Sequence, residues 1–313
     1  MPGTTAPPKT SPAPLGQQDF EEVMRTKIKE NHRRVYGSLR LLVPLMFLLV
    51  GAAAGWGIRA LAPAWTAVLP AAVFMGLAVV AIVREYWTGG PLKRVDWSTA
   101  DAYEQQLAER LSAASHEALL QARDAVLRNR PTAVQAHFYE MRFSAHQQVC
   151  TGRGCPCFET RFNAAVLPAR ARPVIVIGDL LLAEPAAARY VLAHEAHHIR
   201  RPWMHIRLAL SVPAMAGWLA LGLLTPPDLL IVLAPVLWVV ILAVQWVDEL
   251  AADVAAARAT GRHEARSFWN LLQAMRRSSS RWQRVIATVL TTMAPMHPPI
   301  ALRAAIADRF TRR

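Results

Sequence analysis

The sequence predicts a mainly α membrane protein, with about four transmembrane helices in two hairpins and an α+β domain on the cytoplasmic side. Three observations carry that expectation. Of its 313 residues 53% are hydrophobic and 18% charged, an apolar balance for an ordinary globular chain. Four stretches, 41–58, 61–83, 208–224 and 229–247, approach the ~20 apolar residues that a bilayer core asks of a helix. Arg and Lys crowd the segment before 41, the stretch 84–207 and the tail after 248, whereas the two hairpin tips hold only Arg59 and the uncharged-to-acidic Thr225-Pro226-Pro227-Asp228. The positive-inside bias then puts both termini and the middle segment in the cytoplasm of a multi-pass cell-membrane protein.

Taken in order, residues 1–40 hold a Pro-rich leader with too little apolar surface to order itself, followed by a basic amphipathic helix over 19–40 with Phe20, Val23, Met24 and Ile28 on one side. The helix is expected either to lead to the membrane surface or to be an ordinary solvated one. Because the first apolar stretch begins so late, it reads as a signal anchor and not a cleavable signal peptide. The first hairpin occupies 41–83. Gly89-Gly90-Pro91 breaks the chain, and 98–130 carries helix formers with Leu107, Leu111, Leu119, Leu120, Val126 and Leu127 up to Pro131. Within 133–177 the runs FNAAVLP and PVIVIG read as short strands of a small sheet. A helix over 185–200 closes the helical and small-sheet region 84–205. The second hairpin fills 206–247, and 248–313 completes the domain, starting with a helix over 247–259.

The net charge of +13 does not point to nucleic acid, since the basic residues flank the apolar stretches, where anionic lipid headgroups attract them. The lipid bilayer is the expected partner, and nothing in the sequence sets an oligomeric state. Cys150, Cys155 and Cys157 sit on one short loop. They read as free cytoplasmic thiols, the alternative being a second metal site with His146 as a fourth ligand.

The chemistry lies in Tyr190-Val-Leu-Ala-His194-Glu195-Ala196-His197-His198, an HExxH string in a segment with no Gly or Pro. One helical turn separates His194 from His198, so both imidazoles can reach one Zn²⁺, and Glu195 can act on the water that a catalytic zinc keeps in its open position. His197 points about 100° away around the helix and is expected to be a bystander. HExxH alone arises by chance in roughly one such chain in a hundred, so a third ligand decides the matter. The extended form with a third His fails: Arg201 stands where Gly is needed, Met204 where His is needed, and His205 is out of register. Glu249 in Asp248-Glu249-Leu-Ala-Ala-Asp253 is the better choice. With Asp253 on the same helix face it offers one ligand and one carboxylate to hold a ligand imidazole. Asp248 is the other possible ligand.

Four motifs in order resemble those of the HtpX-like and CaaX-prenyl-protease-type zinc metallopeptidases: Asn163-Ala164-Ala165-Val-Leu167-Pro168, the HExxH string, Glu249 with Asp253, and His297-Pro298-Pro299 followed by Arg303. The resemblance covers about 162–306. It implies a gluzincin-like zinc peptidase domain with one Zn²⁺ per chain, an endopeptidase acting on polypeptide substrates, membrane proteins among them, and a role in membrane-protein quality control. It further implies that Asn163, Ala164 and Ala165 begin an edge strand receiving the substrate, that His297 donates to the developing oxyanion, and that Arg303 pairs with Asp253. Four apolar stretches fall short of the seven of the CaaX-processing branch, which argues against prenylated substrates. A membrane sensor or antirepressor of metallopeptidase type, with a narrow regulatory substrate, is the alternative. The His-Pro-Pro segment and the lack of an obvious extracellular sensor region speak against it.

Overall fold

The computed structural model describes residues 18–36, 90–127, 136–141, 161–167, 172–200, 227–277 and 297–311, with isolated positions at 73, 76, 77, 80, 84, 221, 222 and 225. The Pro-rich leader, the cysteine loop with His146, the stretch 41–58 and nearly all of 61–83 and 208–224 lie outside the described residues, as does Pro168.

Among the described residues no helix is long and apolar enough to cross a membrane. This corrects the expected membrane fold of four transmembrane helices, and with it the multi-pass placement in the cell membrane with a cytoplasmic site. The stretch 229–247 is not an element of its own. Here it is the first part of one 34-residue helix with Pro235 inside it, and that helix runs on into the acidic segment at Asp248.

Helix α1 (Phe20–Tyr36) starts packed into the domain. Phe20, Val23 and Met24 are buried in a cluster with Leu92, Val95, Ala100 and Tyr139. Its start is held by Gln18, whose N–H donates to the Arg94 carbonyl at 2.7 Å, while the Asp96 N–H donates back to the Gln18 carbonyl at 3.0 Å. Beyond a 3-10 turn (Gly90–Arg94), Asp96 caps α2 (Trp97–Arg110) by accepting from the Ser98 N–H at 3.0 Å. The single helix expected over 98–130 is two. Ser112 accepts from the Ser115 N–H at 3.2 Å and starts α3 (Ala113–Leu127) afresh, with Leu111 extended between them.

Strands β1 (His137–Met141), β2 (Ala164–Leu167) and β3 (Val174–Gly178) form a sheet in the order β1-β3-β2. All five residues of β3 are buried, as a run of Val and Ile without alternation requires of a central strand. It pairs in parallel with β1, His137 opposite Val174, and antiparallel with β2, Ala164 opposite Ile177. After the short α4 (Asp179–Leu182), Pro185 opens α5 (Pro185–Arg200) at the position where its missing N–H costs nothing. Helix α5 is central: it packs on α3, on β2, on α6 (Pro227–Thr260) and on α7 (Arg262–Arg277), and α8 (Ile300–Phe310) lies against α6 and α7. Its buried residues, Ala187, Ala188, Tyr190, Val191, Leu192, Ala196 and Ile199, belong to the main core. A helix enclosed on so many sides is a stiff mount for polar side chains that must hold their positions.

Candidate metal centre

His194 and His198 project from α5 toward α6, where Glu249 meets them. All three are buried, and together they can hold a metal ion. The two Nε2 atoms are 3.1 Å apart, Nε2 of His194 is 3.5 Å from Oε2 of Glu249, and Nε2 of His198 is 3.6 Å from Oε1. Donors around a tetrahedral zinc with bonds of ~2.0–2.1 Å stand about 3.3 Å apart, so the spacing suits such an ion.

The outer nitrogens of both rings face carboxylates. Nδ1 of His194 lies 3.0 Å from Oδ1 of Asp253, an ion-pair distance without hydrogen-bond alignment, and Nδ1 of His198 lies 3.2 Å from Oδ2 of Asp248. With a proton on each Nδ1, the two Nε2 lone pairs would face each other 3.1 Å apart, an arrangement that a shared cation stabilises. The charges point the same way. Glu195, Asp248, Glu249 and Asp253 are all buried here, and the one guanidinium described among them is that of the partly buried Arg303. A negative excess taken out of water calls for a cation.

Burial by itself would push Glu249 up, but His297 and His194 hold its carboxyl well below the usual carboxylate range. Asp253 is likewise raised by burial and more than offset by Arg303, which leaves it depressed. Arg303 donates to it twice, from Nε at 2.6 Å and Nη2 at 2.8 Å, and the Tyr190 hydroxyl donates to it at 3.2 Å. The His194 imidazole, lowered by burial, is lifted to about 10 by Asp253 and Glu249. Burial pushes the Glu195 carboxyl up against the pull of His194 and His198.

A small hollow over the centre is lined by Asn163, Tyr190, His194, Glu195, His297 and Arg303, among others. His297, with nearly half its side chain exposed, bonds through Nδ1 to Oε2 of Glu249 at 2.7 Å. Asn163, Ala164 and Ala165 enter the site as the start of β2, with Asn163 and Ala165 exposed and Ala164 buried. Their placement depends on Gly178: a Cβ there would run into the Arg161 carbonyl. The Gly178 N–H donates to the Asn163 carbonyl at 2.9 Å, and Arg161 grips Asp179 at 2.8 and 2.6 Å. His197, beside His198 at a ring separation of 6.3 Å, is not in the donor group. A larger cavity of about 310 Å³, lined by Asp101, Glu104, His116 and Arg123 among others, opens between α2 and α3 away from this chemistry.

Two residues of the centre escape a reading of the sequence. Tyr190 is one helical turn before His194, and that spacing puts it on the same face. Asp248 is weighed there only as an alternative ligand, while its contact is with the back of His198. Compared with family models, with curated proteins and with solved structures, the chain matches none.

Proposed function

We propose that the chain is a zinc-dependent endopeptidase, with one Zn²⁺ held by His194, His198 and Glu249. The observation that carries this reading is the buried Glu195 lining the hollow beside the first ligand ring. A closed structural zinc site has four protein ligands and no use for such a group. Bound zinc supplies a water of lowered pKa and polarises the scissile carbonyl. Glu195 takes the proton from that water and delivers it to the leaving amine. Asp253 holds His194, and Arg303 and Tyr190 hold Asp253. His297, on the open side of the hollow, donates to the oxyanion as it develops.

The substrate is an extended polypeptide. Among the described residues β2 pairs with β3 alone, and its outer edge suits an added strand, with backbone hydrogen bonds giving affinity and loose sequence preference. The resemblance to HtpX-like metallopeptidases supports unfolded or damaged proteins as the substrate class and quality control as the task.

The test is zinc content together with casein cleavage, comparing wild type with Glu195→Gln. Near-stoichiometric zinc in both and cleavage in wild type only is the expected result. Equal cleavage by both would remove Glu195 from the chemistry, and wild type without zinc after chelator-free purification would remove the centre itself.

A further inference from the structure

Asp248 adjoins the ligand Glu249 in sequence, but it is not part of the donor group. Its Oδ2 faces Nδ1 of His198 at 3.2 Å, and both residues are buried. Across the centre Asp253 faces Nδ1 of His194 at 3.0 Å. Glu249 follows Asp248 by about 100° around α6 and precedes Asp253 by about 40°, so the three carboxylates fan across the side of the helix that meets α5. The middle one reaches the two Nε2 atoms, and the outer ones reach the backs of the two rings.

We propose that Asp248 is a positioning residue that fixes the tautomer and orientation of His198. An imidazole binds a metal through Nε2 only when its proton is on Nδ1, and a carboxylate facing Nδ1 favours that form over the other. The Glu-xxx-Asp spacing provides such a partner for His194 alone; Asp248 extends it to the second ring. The proposal rests on the reading of His194, His198 and Glu249 as a zinc centre.

Zinc affinity is measured by competition with a chromophoric chelator for wild type, Asp248→Ala and Asp248→Asn, with circular dichroism and apo-protein Tm alongside. Asp248→Ala should bind zinc about 10- to 100-fold more weakly. Asp248→Asn, whose side-chain carbonyl still accepts from Nδ1–H, should recover most of the loss. A folded Asp248→Ala with wild-type zinc affinity would overturn the proposal, whatever its Tm, because a merely structural role moves Tm alone. Should the alanine variant not fold, the long-range proton–nitrogen NMR spectrum of zinc-free wild type, in which no metal dictates the tautomer, decides. The His198 ring is expected with its proton on Nδ1, and a proton on Nε2 would overturn the assignment. These outcomes differ from failure of the zinc reading, in which wild type itself binds no zinc.

Discussion

Arg303 holds Asp253 with two hydrogen bonds, 2.6 Å from Nε to Oδ2 and 2.8 Å from Nη2 to Oδ1, with the carboxylate fully buried and the guanidinium largely so. The guanidinium also lies over the Trp269 ring, 5.2 Å from its centroid. This pair ties α8 to α6 and fixes the carboxylate that faces His194. Arg303 is the cation that offsets the buried Asp253 charge, which the neutral Tyr190 hydroxyl cannot do.

Replacing Arg303 with Met should therefore destabilise the fold by about 3–5 kcal/mol, the usual consequence of stranding one member of a buried pair. Lys should not restore the loss, since its single ammonium cannot make the two-point contact. Urea unfolding of the variants measures both, and a change below about 1 kcal/mol would show the pair to be dispensable.

Chelation should lower the melting temperature. An ion bound only by the folded state adds about 2.7 kcal/mol at a free concentration 100 times its Kd, which for a chain of 313 residues is roughly 4 °C. Differential scanning fluorimetry of zinc-loaded protein with and without chelator reads this directly. Identical curves, with zinc removal verified by elemental analysis, would mean that the negative cluster does not hold an ion.

His297→Ala should reduce turnover by roughly two orders of magnitude while zinc stays bound. Its Nδ1 touches Glu249, but the ring is nearly half exposed and outside the donor group. Steady-state kinetics on a peptide substrate together with zinc content separate the two roles: unchanged turnover would dismiss the oxyanion donor, and loss of zinc would make His297 a support for Glu249 instead.

Gly178→Ala should cost about 1–3 kcal/mol or more, the range for overpacking a close contact, because the new methyl meets backbone and not a movable side chain. The strain falls on 161–163, so under the proposed peptidase activity peptide substrates should show a higher KM in the folded variant. A Tm equal to that of wild type would show that the strand ends can part freely.

Glu104 links acid stability to the start of β1. Burial raises its carboxyl, but His137, Arg123 and the Phe138 N–H, which donates to it at 2.7 Å, bring it below its ordinary value. A folded-state pKa below the unfolded one gives stability that is present above the unfolded pKa of about 4.3 and is lost as pH falls through the folded one. Unfolding free energy measured from pH 6 down to pH 2 should fall more steeply in wild type than in Glu104→Gln. Parallel curves would exclude Glu104 as the cause.

What could be read from the sequence was local. Helix α5, strands β2 and β3, and the one-turn spacings of His194 with His198 and Glu249 with Asp253 follow from periodicity along a single element. Strand β1 does not, because HFYEM alternates poorly and is held by parallel pairing to a strand far along the chain. Nor does the break at Ser112, where one hydroxyl competes with a helix that every neighbouring residue favours. The docking of Phe20 among Trp97, Tyr103 and Tyr139 likewise needs contacts from remote segments. Asp248 is the sharpest case. Its neighbour belongs to the donor group, and only the relative rotation of α5 and α6 tells which of two adjacent acids meets the inner nitrogens. The membrane spans were read from apolar length alone, which is why 229–247 was expected to be a separate element and not the leading part of α6.

One helix, α6, supplies every acid that meets the two rings, and another, α5, supplies both rings. The centre is thus a joint between two stiff rods with very few independent motions. Turning or sliding α6 by a fraction of a residue's rise withdraws Asp248, Glu249 and Asp253 in concert, so partial assembly has no intermediate in which one acid remains while its neighbours leave. The leading end of α6 lies about 30 Å from Glu249 at the helical rise of 1.5 Å per residue, which gives whatever moves that end leverage over all three acids at once. An ion held there would be retained only while the two rods are seated.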